Sequence, residues 1–277
     1  MNFRFTGGIV FVVLFCGVAF SAHAGPVLDK VAERGKLIAC TSVENRPFGF
    51  LGTDGKPMGF HVDLIAAVKD RLAKKLGKAL ELEIVPTVPA NRIQFLQQGK
   101  CDMLLTSLNY TAERAKLMEL IEPGYYYSGA NILARKSTPI RQWEDLKDKS
   151  ICSNQGSMWN KPYEQRYGTR ILAFTGNAEN AQALLDGRCV GWLSDDASIA
   201  TRMGHNPPWD DFEVKLNTQD GSPHVVAIQF GNADFRDFLS DAVKDWHRTG
   251  AILALEKKWQ TLNSKWAQER YNEFRAR

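Results

Sequence analysis

Residues 101–129 have the sequence CDMLLTSLNYTAERAKLMELIEPGYYYSG. The apolar run 103–105 lies between Gly99 and a group of hydroxyl residues, and this arrangement predicts a short buried strand. Thr111 is a good N-cap residue, and residues 112–116 favour a helix that starts directly after it. A strand that leads into a helix in this way is the repeating unit of an α/β fold.

Polar side chains gather where this strand ends and this helix begins. They are Thr106, Ser107 and Asn109, and Arg114 follows in the first turn of the helix. Hydroxyl groups, a guanidinium and the free N–H groups of a helix start form a set suited to a carboxylate or a phosphate. Hydroxyl residues also cap many ordinary helices, so the stretch alone is consistent with an anion site and with a plain helix start.

The composition indicates a globular protein. The chain has 277 residues, of which 44% are hydrophobic, and a formal net charge of +4. This length and apolar content suffice for one or two packed domains. Because the Lys and Arg residues are spread along the chain without a long run, we expect no nucleic-acid partner and no polybasic membrane surface.

The first 24 residues have the pattern of a secretory signal peptide. Arg4 precedes an apolar core at 9–20, and Ala22 and Ala24 fit the small-x-small cleavage rule before Gly25. The core is shorter than the roughly 20 residues that span a membrane, and no later segment reaches that length. We therefore assign residues 1–24 to a signal peptide and expect a soluble periplasmic protein.

Four cysteines remain after cleavage, and the exported location permits disulfides. Their positions are Cys40, Cys101, Cys152 and Cys189. Spacing alone does not pair them, and they form neither a C-x-x-C motif nor a Cys/His metal cluster. The sequence therefore favours buried, unpaired thiols, and we expect no metal and no cofactor.

The order of predicted elements gives two α/β lobes. Residues 37–105 alternate strand, helix, strand, helix and strand, and residues 131–196 repeat this plan. In a parallel sheet with helices on both faces, ligands bind beyond the carboxyl ends of the strands, where polar clusters such as 106–109 and 194–196 lie. The tail adds a strand at 225–230 and helices whose Trp246 and Trp259 are expected in the core.

Seven short motifs together resemble a known family. They are RGKL at 34, PFGF at 47, GFHVDL at 59, LQQGKCD ending at 102, TAER at 111, GYYYSG at 124 and DGRCVGWLSD at 186. In this order, the motifs are similar to those of the extracytoplasmic solute-binding proteins of polar amino-acid ABC importers. The resemblance implies a two-lobed α/β protein whose lobe 1 comprises 25–125 plus 225–277, with lobe 2 at 130–219 and hinges at 125–129 and 220–224.

The resemblance also implies roles for individual residues. Arg114 would hold the α-carboxylate of an amino acid, and Asp195 would accept from its α-ammonium group. The groups that would assist Arg114 lie in lobe 1 and at a helix start at 156–158 in lobe 2: Thr106, Ser107, Asn109 and Ser157. The chain departs from the common pattern at Asn109 and Met158, where many relatives carry a hydroxyl residue.

The pocket for the ligand side chain has a mixed pattern. Asn45 and Pro89 stand where relatives specific for basic amino acids or glutamine carry two aromatic rings. Arg92, as in relatives that bind glutamate and aspartate, would meet a second carboxylate. Further pocket residues by this resemblance are Asn177, Phe48 and Ser42. Glutamate or aspartate is the expected ligand, and asparagine, glutamine or a broader polar range is the alternative.

Two features stand against an acidic ligand. Ser42 occupies a position where the acidic-ligand relatives carry a second Arg, and Glu44, close to Ser42 in sequence, would neutralise Arg92 if the two side chains met in the pocket. If Arg92 were a solvated helix residue, the pocket would be uncharged. The sequence does not decide between these interpretations.

Proteins of other classes share the expected fold. A periplasmic dehydratase would need a general acid in the cleft, for which Glu44 and Asp196 are the weak candidates. A ligand-sensing module would share every binding residue and differ in its membrane partner. We expect a monomeric binding protein without enzymatic activity, whose partners are a small polar amino acid and the membrane permease of an ABC importer.

Overall fold

A computed structural model of the protein describes residues 27–201, 208–261 and 265–276. The predicted signal peptide at 1–24 lies outside these ranges. Within them, no helix combines the length and the apolar character that crossing a membrane requires.

The strands alternate with helices along most of the chain. The strands are β1 (Lys36–Thr41), β2 (Glu44–Asn45), β3 (Gly49–Leu51), β4 (Pro57–Met58), β5 (Glu81–Pro86), β6 (Met103–Leu104), β7 (Glu119–Arg135), β8 (Ser150–Asn154), β9 (Arg170–Phe174), β10 (Gly191–Asp195), β11 (Phe212–Val214) and β12 (Gln219–Ile228). The helices are α1 (Val27–Arg34), α2 (Phe60–Leu76), α3 (Arg92–Gln97), α4 (Ala112–Ala115), α5 (Asn160–Tyr167), α6 (Asn177–Leu185), α7 (Asp196–Ala200), α8 (Ala233–Thr249), α9 (Ala251–Trp259) and α10 (Lys265–Arg275). Short 3₁₀ helices lie at Trp143–Leu146 and Trp209–Asp211.

One sheet runs through the molecule in the order β5-β1-β6-β12-β7-β10-β8-β9, with β11 paired to β7. β1 is parallel to β5 and β6, and β8 is parallel to β9 and β10. We call the part of the molecule around β1, β5 and β6 lobe 1, and the part around β8, β9 and β10 lobe 2. The predicted two-lobed α/β fold is therefore confirmed.

Two long antiparallel strands join the lobes. β7 pairs with the end of β12 in lobe 1, through Ile121 and Val226, and with β10 and β11 in lobe 2. Between these regions, 126–128 pairs with 222–224. The predicted hinges at 125–129 and 220–224 fall on this middle section, and the division of the chain at those residues stays a prediction.

Apolar side chains pack against both faces of the sheet. In α2, Leu64, Ile65, Val68 and Leu72 recur at helical spacing and are almost completely buried in the larger core of lobe 1. The predicted tail residue Trp246, on α8, joins the same core. Lobe 2 has a core on each side of β8 and β10, and the side chains of these clusters fix the strands whose ends form the site.

The prediction of unpaired thiols is wrong. Cys40 and Cys101 form one disulfide with a Cα–Cα distance of 5.7 Å, and Cys152 and Cys189 form a second at 5.6 Å. In each pair, one cysteine lies in a strand and the other just before the adjacent parallel strand. The pairing depends on strand order, which sequence spacing does not show.

Of two predicted helix starts, the structure confirms one and contradicts the other. Thr111 caps α4 as predicted, because its hydroxyl accepts from the backbone N–H of Arg114 at 3.1 Å. The predicted helix start at 156–158 is wrong, since α5 begins at Asn160 and a turn precedes it. Gly156 has a φ of +73°, a left-handed conformation that cannot continue into a right-handed helix.

Candidate functional site

A cavity lies between the lobes, beyond the carboxyl ends of their parallel strands. It encloses about 580 Å³ of space between atoms, including a part open to solvent. The predicted site residues that line it are Ser42, Arg92, Thr106, Ser107, Asn109, Arg114, Ser157, Asn177 and Asp195. Residues that are far apart in sequence thus converge on one place.

Phe48 is not part of this lining, so its predicted place in the ligand pocket is wrong. Its side chain is fully buried and packs against the rings of Phe60 and Tyr126 at centroid distances of 5.8 and 5.3 Å. Its carbonyl accepts from the backbone N–H of His61 at 2.7 Å, at the start of α2. Phe48 therefore anchors a loop to the core of lobe 1.

Arg114 is held by backbone carbonyls of both lobes. Its Nη1 donates to the carbonyl of Asn109 at 2.7 Å, and its Nη2 donates to the carbonyl of Gly156 at 3.0 Å. Burial and the charge of Arg92 lower the pKa of Arg114 to about 9, while Asp195 acts in the opposite direction. A guanidinium buried without full charge compensation is a strong site for a carboxylate.

Arg92 is also buried at the cavity wall. Its Nη1 donates to the carbonyl of Ser107 at 2.8 Å, and its Nε has no partner among the described residues. Burial lowers the pKa of Arg92, which Asp195 and Tyr125 partly oppose. In the described ranges, neither Arg92 nor Arg114 forms an ion pair with a carboxylate.

Asp195 is the third charged side chain in the lining. Its Oδ1 accepts from the hydroxyl of Ser128 at 2.6 Å and lies 3.1 Å from Nε2 of His224. Burial by itself would raise the pKa of Asp195, but these hydrogen bonds and the charge of Arg92 lower it below its ordinary value. The carboxylate is therefore ionised at neutral pH and suited to accept from a cation.

The charged groups of the lining do not balance. Among the described residues that line the cavity, two are cationic, Arg92 and Arg114, and one is anionic, Asp195. A buried charge without a partner is costly. A bound molecule with two carboxylates and one ammonium group would balance all three side chains.

Glu44 does not neutralise Arg92 by direct pairing. Its Oε1 accepts from the backbone N–H of Asn177 at 2.7 Å, at the start of α6 in the opposite lobe. A Cβ on Gly176 would lie only 2.4 Å from the same oxygen, so the glycine makes room for this contact. Asn45 also reaches across the cleft, to Ser198 Oγ at 3.2 Å. With these contacts, the lobes are closed on one another.

Several of the predicted polar residues form hydrogen bonds within the walls of the cavity, with partners that the sequence does not specify. The side chain of Asn109 donates to the carbonyl of Ser222 at 3.3 Å. The side chain of Asn177 accepts from Asn154 at 2.8 Å. Ser157 Oγ lies 3.4 Å from the backbone nitrogen of Trp159. These contacts fix the polar groups that a ligand would meet.

Sequence reasoning missed Ser128 and His224, which hold Asp195. Both lie in the segments predicted as hinges, but the sequence analysis gave these two side chains no role. A serine and a histidine in otherwise apolar strands are a weak signal of a buried polar contact. The described residues contain no group of three or more His, Cys, Asp or Glu side chains that could hold a metal ion.

Residues 37–262 match the model of a protein family described as bacterial extracellular solute-binding proteins, family 3. The chain is 25% identical to the glutamate/aspartate import solute-binding protein of Salmonella typhimurium over 242 residues. The match covers 85% of this chain and 80% of that protein. Over 256 residues, it is 27% identical to the L-cystine-binding protein TcyJ of Escherichia coli, covering 91% and 93%.

The fold is also that of a solved binding protein. The crystal structure of the ancestral amino acid-binding protein AncCDT-1, a precursor of cyclohexadienyl dehydratase, matches with a TM-score of 0.72 at 25% identity, over 84% of this chain and 99% of that one. Because the family model matches most of the sequence and the architecture agrees, this chain belongs to the bacterial extracellular solute-binding proteins of family 3.

Proposed function

We propose that this protein captures an acidic amino acid, glutamate or aspartate, between its two lobes and delivers it to the membrane permease of an ABC importer. The observation that carries the proposal is the charge of the cavity, where two buried guanidinium groups face one carboxylate. Glutamate and aspartate bring two carboxylates and one ammonium group. Their binding would leave none of the three side chains without an opposite charge.

Each side chain has a distinct part in this proposal. Arg114, fixed by carbonyls from both lobes, takes the α-carboxylate. Asp195, in the strand end of lobe 2, accepts from the α-ammonium group. Arg92 takes the second carboxylate, for which its Nε–H group is an unused donor among the described residues. A neutral amino acid would leave Arg92 without an opposite charge.

Two sequence features, Glu44 and Ser42, argued against an acidic ligand, and the contacts of Glu44 weaken the first of these arguments. Glu44 is engaged at the start of α6, and burial, not Glu44, is the main influence on the pKa of Arg92. Ser42 lines the cavity as a neutral residue where a second arginine was expected of acidic-ligand relatives. One arginine for the second carboxylate suffices for charge balance.

The comparisons support an amino acid as the ligand, but they do not identify which amino acid it is. The relative from Salmonella typhimurium carries a name for glutamate and aspartate, and the relative from Escherichia coli carries a name for L-cystine. Both names describe binding proteins for amino acids. Membership of this family, together with the predicted signal peptide at 1–24, supports a periplasmic protein that serves an importer.

Enzymatic chemistry on this fold is the second class of function considered, because AncCDT-1 is a precursor of a dehydratase. The two candidate acids lie outside the cavity lining. Burial raises the pKa of Asp196, but its Oδ1 accepts from the backbone of Ala197 at 2.7 Å and its Oδ2 from Thr218 at 2.9 Å. Glu44 faces α6. A binding protein without catalysis fits these placements better.

The test compares the effect of Arg92→Ala on two ligands of similar shape. Calorimetric titration should show that the variant weakens L-glutamate binding by roughly 2 kcal/mol or more, because a buried charge pair is lost, and weakens L-glutamine far less. Arg248→Ala, on the exposed side of α8, is the control and should change neither. Equal losses for both ligands would show that Arg92 does not recognise side-chain charge.

A further inference from the structure

Two polar side chains from the strands that join the lobes converge on one oxygen of Asp195. Ser128 lies on β7 and His224 on β12, and both are almost completely buried. Ser128 Oγ is 2.6 Å from Oδ1 of Asp195 and 2.8 Å from Nε2 of His224, while Nε2 is 3.1 Å from the same Oδ1. The three groups form a closed triangle.

The geometry assigns the protons in this triangle. An ionised carboxylate only accepts, so the hydroxyl proton of Ser128 points to Oδ1. Nε2 of His224 must carry a proton as well, because an unprotonated nitrogen 3.1 Å from a carboxylate oxygen would be repelled. Nδ1 of His224 is buried and has no partner among the described residues. Nε2 is therefore the ring nitrogen that donates within the triangle.

This arrangement leaves the other oxygen of Asp195 available. Both contacts go to Oδ1, and the described residues provide no hydrogen bond to Oδ2. Asp195 lines the cavity. An ammonium group in the cleft can thus meet an oxygen whose direction is set by the two hinge-strand residues.

The backbone of His224 is also connected to the residue that supports Arg114. Its backbone pairs with Asn109, whose carbonyl accepts from Nη1 of Arg114 at 2.7 Å. Its ring packs against those of Tyr125 and Tyr126, with centroid distances of 6.2 and 5.6 Å. His224 therefore contacts Asp195 directly and, through the backbone of Asn109, the residue that supports Arg114.

We propose that His224 and Ser128 are positioning residues that orient Asp195 toward the ligand ammonium group and so connect the geometry of the hinge strands to ligand capture. The proposal rests on the proposed function, in which Asp195 accepts from that ammonium. His224 acts as a donor through Nε2. The hydroxyl of Ser128 donates to Oδ1 of Asp195. Any movement of β7 against β12 therefore changes the direction in which Asp195 faces the cavity.

The first test needs no ligand. NMR titration of the Asp195 side-chain carboxyl group in the free protein should show its pKa rising in His224→Ala and in Ser128→Ala, by roughly one unit or more, since each change removes a hydrogen bond to the charged form. His224→Gln, whose amide N–H can replace Nε2–H, should restore most of the difference. Tyr127→Phe, a neighbour on β7 whose ring faces away, is the control.

A ¹⁵N spectrum of the His224 ring provides a second signature, and it should show a protonated Nε2. The opposite tautomer, or an unchanged Asp195 pKa in both alanine variants, would overturn the proposal. A purely structural role for His224 would not move the carboxyl titration and then restore it with glutamine.

The second test is a double-mutant cycle on L-glutamate affinity. His224→Ala should weaken binding roughly tenfold or more in the wild-type background and less than about twofold in Asp195→Asn, because the donor then has no charged acceptor to orient. An equal loss in both backgrounds would show that His224 does not act through Asp195.

The two proposals fail in distinguishable ways. If wild-type protein does not bind L-glutamate, or if Asp195→Asn leaves its affinity unchanged, the proposed ligand contacts are wrong. The carboxyl titration then still decides whether His224 and Ser128 position Asp195. Circular dichroism of each variant identifies any that fail to fold, and His224→Gln provides the folded comparison.

Discussion

At the scale of single residues, Arg114 is the side chain that we propose takes the α-carboxylate of the ligand. Two of its donors already hold the carbonyls of Asn109 and Gly156, one in each lobe. Its remaining donors and its charge are left for the ligand, and burial makes that charge costly until it is paired. The planar guanidinium can make all of these contacts at once, which an ammonium cannot do.

Removing this group should therefore affect binding strongly. Arg114→Ala should lower L-glutamate affinity by roughly 2 to 5 kcal/mol, because it leaves a buried carboxylate unpaired. Arg114→Lys should recover only part of the loss, since lysine keeps the charge and loses the fork geometry. Titration calorimetry measures both. Affinity within a factor of two of wild type in Arg114→Ala would contradict the assignment.

At the scale of elements, α6 takes its N-terminal cap from the opposite lobe. Gly176 has no side chain to cap the helix, and the Glu44 carboxylate accepts from the backbone N–H of Asn177. A negative charge at a helix N-terminus is favourable. Because this contact spans the cleft, it exists in the closed arrangement and stabilises it relative to an open one.

Glu44→Gln should accordingly weaken ligand binding by roughly 0.3 to 1 kcal/mol, because the amide oxygen can still accept from the backbone N–H but the negative charge at the helix N-terminus is lost. Glu179→Gln is a matched control, because Glu179 accepts from the backbone N–H of Thr175 within lobe 2 at 2.9 Å. It should lower the melting temperature while leaving affinity unchanged. If the two variants change affinity equally, the contact across the cleft has no special effect on closure.

The elements also show which features the sequence could predict. Local signals predicted the helix that Thr111 caps, with Arg114 in its first turn, and the polar cluster that ends β10, whereas the place of Asp195 at the site followed from the resemblance to the family. The disulfides were missed because Cys40 meets Cys101 only once β1 and β6 are adjacent. Phe48 was misplaced for a similar reason, since the direction of a loop side chain depends on the core it packs against.

At the scale of the whole molecule, one sheet continues through both lobes, and the strands that connect them pass beside the site. β7 and β12 carry Ser128 and His224, so the connection between the lobes contacts Asp195 directly. The parallel strands of both lobes bring their carboxyl ends to the same cavity. Closing the cleft, orienting Asp195 and burying the two arginines are therefore consequences of a single arrangement.

The most direct test of an acidic ligand is a thermal-shift screen of the wild-type protein against the twenty amino acids. A ligand present at 100 times its Kd stabilises the folded state by about 2.7 kcal/mol. We expect L-glutamate or L-aspartate to give the largest rise in melting temperature, with a smaller rise from L-glutamine and L-asparagine. A larger rise from a neutral or basic amino acid than from both acidic ones would contradict the account.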